Sequence, residues 1–268
     1  MPLAPFDPLS GVLTVGLLAD GSPARICLRN QSGVVIGGLP GSGKTVAATL
    51  IATELILAGA HLTIIDGKGG TDWETIAEYA ARSTGDDLDI AHSELLSVND
   101  SMRSRLSPMR QDYGSSNYWN INPEKRPPLE VVIIDECQTF FDLKSVLGGK
   151  AEKDKAAQIL AAATNIVKKG RSAGYILFAL TQKPTADSLP TALRDNCGVR
   201  VCFRVMTDES AKAVLGTIPD GAPSPVKIPE ERRGGAVIAL ASGALTECRF
   251  ANLPEDIAAR ILADATYK

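Results

Sequence analysis

The stretch Val34 to Thr45, VVIGGLPGSGKT, carries the clearest chemical signal in the chain. Within it Gly38 to Thr45 fit the spacing G-x-x-x-x-G-K-[ST], a loop built to cradle phosphate. Glycines at 38, 41 and 43 let the backbone fold tightly and turn its N–H groups onto phosphate oxygens, with Pro40 and Ser42 filling the variable positions. The helix expected to run on through Val46 adds its positive N-terminal end. Lys44 is expected to reach the β- and γ-phosphates, and the Thr45 hydroxyl to ligate Mg²⁺. About 90 residues on, the apolar run Val131 to Ile134 delivers Asp135 and Glu136, a Walker B pattern. Asp135 there suits the Mg²⁺ shell. Glu136 is placed to polarise an attacking water, which a hydrolase requires and a mere nucleotide binder does not. A third apolar run ends in Leu180-Thr181-Gln182, where Gln182 can touch the γ-phosphate or the water.

These side chains need a sheet to bring them together. Val34–Ile36, Leu62–Asp66, Leu129–Glu136, Tyr175–Leu180 and Arg200–Val205 read as buried strands, alternating with helical patterns. The helices are expected over Val46–Ala58, Trp73–Arg82, His92–Arg110, Lys155–Lys169, Thr207–Leu215 and Glu255–Ala265. Val12–Leu18 and Ala24–Leu28 flank an Asp-Gly turn and predict a hairpin, as do Ala236–Ala241 and Leu245–Phe250. Residues 83–89, 111–128 and 142–153 read as polar loops. The pattern predicts an α/β fold, a largely parallel central sheet with helices on both faces. One domain over 1–268 is expected: an N-terminal arm and hairpin (1–30), a nucleotide-binding core (31–216), and a C-terminal hairpin and helix (217–268).

The 268 residues are 44% hydrophobic and 22% charged, ordinary globular values. A net charge of −3 supplies no global basic field, so contact with nucleic acid must come from local patches or an assembled ring. Five scattered cysteines and two histidines argue for buried thiols in a reducing cytoplasm and against a zinc centre. No run is long and apolar enough for a membrane helix, which leaves a cytoplasmic protein, membrane-associated only through a partner.

Two further segments carry a family resemblance. Lys169-Gly-Arg-Ser-Ala-Gly-Tyr175 through Ala179-Leu-Thr-Gln-Lys-Pro184 resembles the K-x-R-A-x-G-I-H-L-x-x-A-T-Q-R-P signature of FtsK/SpoIIIE-type motor ATPases. Leu193 to Val205 and Asp208 to Gly216 resemble the elements that follow it, so the likeness covers roughly residues 12–250. It implies a RecA-like P-loop fold, ATP with Mg²⁺, a homo-hexameric ring, and the pumping of double-stranded DNA without sequence readout. The setting it implies is chromosome partition or conjugative transfer, with a membrane-anchored or DNA-recruiting partner protein. Ring motors of this kind set one subunit's arginine against the neighbour's γ-phosphate, and Arg200, then Arg204, are the candidates. Asp66-Gly67-Lys68 stands where the family has D-P-K, so a role for Lys68 is carried over only weakly.

Lys150, in the loop before the long helix, and Lys168, Lys169 and Arg171, at and after its end, are the candidate DNA contacts; Arg126 and Lys144 lie in the other loops. For Tyr113, Tyr118 and Trp119, packing beneath the loop is favoured over stacking on bases. Two other readings stay open: an ATPase module of a type VII-like secretion machine, and a non-hydrolysing nucleotide-binding adaptor. The intact Lys44, Asp135 and Glu136 argue against the adaptor.

Overall fold

The computed structural model describes residues 4–240 and 243–266. In chain order its elements are β1 (Val12–Leu18), β2 (Pro23–Cys27), β3 (Gly33–Gly37), α1 (Lys44–Leu57), β4 (His61–Asp66), α2 (Glu74–Ala77), β5 (Arg82–Thr84), α3 (Leu88–Leu106) and α4 (Met109–Tyr113). Then come β6 (Glu130–Asp135), α5 (Gln138–Phe141), α6 (Lys150–Ala173), β7 (Tyr175–Thr181), α7 (Thr191–Arg194), β8 (Val199–Phe203), α8 (Asp208–Leu215), β9 (Gly235–Ala239), β10 (Leu245–Phe250) and α9 (Glu255–Thr266).

All ten strands form one sheet in the order β2-β1-β10-β9-β8-β3-β7-β6-β4-β5. From β8 to β5 the six strands are parallel. The other four extend the sheet antiparallel, so both expected hairpins join it. β3, β7 and β9 are buried at every residue, and β4 and β6 at all but their first. Such strands show a continuous apolar run instead of alternation, because helices cover both faces. Strand β7 lies between the P-loop strand β3 and the acidic strand β6, with Ile36 beside Leu180 and Ile133 beside Phe178. The C-terminal ends of β3, β4, β6 and β7 therefore open onto one edge, where ligands collect in open α/β sheets.

Several boundaries move from the expected positions. Helix α3 starts at Leu88 instead of His92, because the Asp87 carboxylate caps it by accepting the N–H groups of Asp89 and Ile90. The helix expected from Trp73 to Arg82 shrinks to α2, and the short strand β5 takes up Arg82 to Thr84 beside β4. Helix α6 runs 24 residues instead of 15. Gly149 starts it, donating its N–H to Glu152 Oε2 at 2.7 Å. Gly170 does not end it, because that glycine lies on the buried stripe pressed against β7. Lys150 and Lys153 consequently stand on a helix, as do Lys168, Lys169 and Arg171.

The polar stretch from Gln111 to Pro128 is not featureless. It holds the end of α4 and two turns of 3-10 helix, and it buries Tyr118, Trp119 and Ile121. Arg126 stacks its guanidinium over both aromatic rings and donates to the carbonyls of Pro8, Trp119 and Ile121. Arg126 is thus a structural clamp. Four cysteines are buried, and Cys27 is exposed. Ala241, expected in a strand, and the first three residues of the arm lie outside the described residues.

Candidate nucleotide site

The P-loop leaves β3 at Gly37 and enters α1 at Lys44, with Gly41 and Gly43 in the left-handed region at φ +74° and +104°. Ser42 Oγ donates to the Leu39 carbonyl at 2.7 Å, closing the loop on itself. The Leu39 N–H donates to the Arg204 carbonyl, and that of Gly38 to the Thr181 carbonyl, which pins the loop to β8 and β7. Among the described residues, the amides of Gly43, Lys44, Thr45 and Val46 have no protein acceptor. All four residues line a cavity of about 590 Å³, within the range of small-molecule sites. A Cβ at Gly43 would come within 2.9 Å of Gly234 N, so the loop needs glycine there. Four orphan donors at a helix N-terminus facing a cavity fit a polyphosphate.

Beyond the loop, the Lys44 ammonium lies between the two acidic side chains, 3.3 Å from Asp135 Oδ1 and 3.0 Å from Glu136 Oε1. All three residues are buried. Asp135 Oδ1 also accepts the Glu136 N–H, and Asp135 Oδ2 accepts the indole N–H of Trp73 at 2.9 Å. Glu136 is one of two non-glycine residues in the left-handed region among the described residues, at φ +47°, a conformation that costs about 1 kcal/mol or more. Its Oε2 accepts Gln138 Nε2 at 2.7 Å and the Gln182 backbone N–H at 3.0 Å. Gln138 Oε1 in turn accepts the Thr181 hydroxyl at 2.6 Å. Burial pushes the Glu136 carboxyl upward, but Lys44 and these two donors outweigh it and hold it below its ordinary value of 4.5. A carboxylate kept ionised and aimed at the end of β6, next to the cavity-lining Lys44 and Gln182, has the charge state of a general base beside a phosphate site.

The structure therefore brings Lys44, Asp135, Glu136 and Gln182 to one edge, with Gln182, Lys44 and Thr45 lining the same cavity. It does not bring the two arginine candidates there. Arg200 donates to the carbonyls of Cys197 and Leu215 at 3.1 Å each, level with Val35 in the middle of the sheet. Arg204 abuts the P-loop through its backbone, while its guanidinium pairs with Glu230 at 3.3 Å. Lys68 is tied to Asp72 at 2.6 Å, and that ion pair raises its pKa. The exposed Lys168, Lys169 and Arg171 stand at the C-terminal end of α6, below the start of β7 and away from the cavity. Lys150 stands at the other end, about 31 Å off at 1.5 Å per residue.

Trp73, Gln138, Arg233 and Arg249 reach the site or its cavity without a sequence signal of their own. Only Gln138, two residues after Glu136, sits close enough to a motif to have been found by inspection. Trp73 arrives seven residues after β4, and the two arginines come from the distant C-terminal hairpin.

Residues 34–205 match the family described as "ATPase family associated with various cellular activities (AAA)". The chain is 27% identical over 237 residues to a sporulation regulatory protein of Streptomyces azureus, covering 87% of this chain and 76% of that one. It is 28% identical over 233 residues to the DNA translocase FtsK of Helicobacter pylori, covering 82% of this chain. The match spans only 26% of that translocase's length. In fold it resembles the pCW3 conjugation coupling protein TcpA in its monomer form with ATPγS, with a TM-score of 0.79 and 22% identity over 96% of this chain and 71% of TcpA. Among the described residues no helix is long and apolar enough to cross a membrane. With the P-loop, the acidic strand and the strand between them all inside the matched region, this chain belongs to the AAA family and is an ATPase.

Proposed function

We propose that this chain is the motor module of a ring that hydrolyses ATP to move double-stranded DNA, in chromosome partition or conjugative transfer. The observation that carries the hydrolytic part is the ionised, strained Glu136 held by Gln138 and the Gln182 amide beside a phosphate-sized cradle. Thr45 and Asp135 would hold Mg²⁺, which neutralises phosphate charge when bound. The amides of Gly43 to Val46 orient the polyphosphate. Lys44 turns from the carboxylates toward the β- and γ-phosphates, and Glu136 is thereby released to take the proton of the attacking water. Gln182, whose amide already holds Glu136, registers the γ-phosphate and passes its presence along β7.

The DNA part is supported by relatives named as a DNA translocase and a conjugation coupling protein. Residues 1–268 are proposed as one such module, acting as a homo-hexamer with an arginine supplied in trans, Arg204 or Arg200. A partner protein would supply membrane attachment or DNA recruitment. Lys168, Lys169 and Arg171 make one patch for phosphate contacts, and Lys150 belongs to a separate one.

The test is the ATPase rate of the chain with and without duplex DNA, alongside a measurement of assembly state. Duplex DNA is expected to stimulate turnover in a salt-dependent manner. Glu136→Gln should lower turnover by about 10²–10⁴-fold while nucleotide still binds. A hexamer whose rate is indifferent to DNA but rises with a helical secretion substrate would transfer the engine to protein transport.

A further inference from the structure

One wall of the cavity comes from neither the P-loop nor the acidic strand. It is built from the turn before β9 and from the end of β10. Gly234 donates its N–H to the Ser42 carbonyl at 2.9 Å and accepts the Phe250 N–H at 2.8 Å, which fixes this wall to the loop. Arg233 and Arg249, next to those two contacts, both line the cavity. The Arg249 Nε donates to the Arg233 carbonyl at 3.3 Å, orienting the side chain. Among the described residues its two terminal amino groups have no acceptor, and the Arg233 guanidinium has none at all. Their neighbour Arg232 is different, because it is neutralised by Glu247. The cavity's other cation, Lys44, already faces two carboxylates. The free positive charge of the cavity is therefore two guanidinium forks, ten N–H donors with a single one used.

We infer that Arg233 and Arg249 bind the α- and β-phosphate end of the nucleotide held by the P-loop of the same chain. Gly234 lies against Gly43, and the amides that follow Gly43 are the ones that cradle the α- and β-phosphates. Glu136 and the Gln182 amide mark the opposite, γ-phosphate end. The ligand class is a nucleoside di- or triphosphate, which guanidinium forks match in charge and geometry. This assignment rests on the nucleotide reading of the P-loop, and it makes these arginines cis contacts, unlike an arginine supplied by a neighbouring subunit.

The experiment is titration calorimetry of the whole chain with ADP and with ATP, in Mg²⁺, on the monomeric fraction. Arg233→Ala and Arg249→Ala should each weaken both nucleotides by about tenfold, and by the same factor for each. Arg249→Lys should recover part of the loss, and Arg260→Ala, on the exposed side of α9, should change nothing. Wild-type affinity for both nucleotides in both alanine variants overturns the assignment, and so does a loss confined to ATP. A wild-type chain that binds neither nucleotide refutes the P-loop reading itself and takes this inference with it.

Discussion

Replacing Lys44 by methionine should destabilise the nucleotide-free protein, quite apart from its effect on binding. Methionine keeps the length and most of the volume of the side chain and removes only the ammonium. In the folded chain that ammonium is 3% exposed and lies within 3.3 Å of both Asp135 and Glu136. Removing one partner from a buried ion pair costs about 3–5 kcal/mol, because the remaining charge stays buried without compensation. Asp135 keeps the Trp73 N–H, Glu136 keeps Gln138 and the Gln182 amide, and water can enter the cavity, so the lower end, about 3 kcal/mol, is expected. For a domain of this size that corresponds to a Tm lower by about 6–12 °C. The sign of the pH dependence follows from Glu136. In the wild type its folded pKa is below 4.5, so it contributes stability that is complete above 4.5 and lost as pH falls through the folded value. Without Lys44 both of its lowering contributions are lost and the folded pKa moves upward from its wild-type position, so the variant's penalty is relieved as pH falls and the carboxyl is protonated. The gap between the two proteins should be widest near neutrality and narrow steadily on acidification. Thermal unfolding of the nucleotide-free proteins across that pH range measures it. Equal Tm values at neutral pH, or a gap that ignores pH, would refute the buried-charge account.

The site makes two other predictions. Trp73→Phe removes the indole donor from Asp135 Oδ2 and should cost about 2 kcal/mol in denaturant unfolding. Because Trp73 and Trp119 are the only tryptophans, emission should respond to Mg²⁺ and ATP in Trp119→Phe and stay flat in Trp73→Phe. Gly67→Pro, which installs the residue of the D-P-K pattern, should destabilise by about 2–4 kcal/mol. Its Cβ would fall 2.7 Å from the Glu136 carbonyl oxygen, and the 2.9 Å hydrogen bond from Gly67 N to the Asp135 carbonyl would be lost. An unchanged denaturant midpoint would show that the loop yields and that proline is tolerated.

What could be read from the sequence followed from local rules. The P-loop has fixed spacing, and Asp135 and Glu136 end a run of four apolar residues that only a doubly covered strand explains. Thr207 opens the expected helix over Thr207–Leu215, a residue type suited to capping, and its hydroxyl accepts the Ser210 N–H. The rest depended on which strands become neighbours. Trp73 and Asp135 meet because β4 lies beside β6, and Arg249 meets the P-loop because β10 and β9 extend the sheet past β8. No local period encodes either adjacency. The start of α6 was hidden by Gly148 and Gly149, which look like loop residues but serve as a helix entry. Arg126 looked like a loop cation available to a polyanion, and its three carbonyl acceptors are visible only once the loop is folded.

A ten-stranded open sheet has two free borders, and the order of strands decides what stands on them. One border is β5, three residues long with Arg82 and Ser83 exposed. The other is β2, which opens with Pro23, presents the charged Arg25 outward, and belongs to a pair broken by a register shift between Thr14 and Gly16. Shortness, proline, charge and irregular register are the devices that stop a border strand from templating another chain. Copies of this protein are thereby discouraged from joining strand to strand into an endless ribbon. In the ring proposed above, contacts between copies would fall to helices and loops, which can break and re-form without unzipping the sheet that holds the catalytic edge.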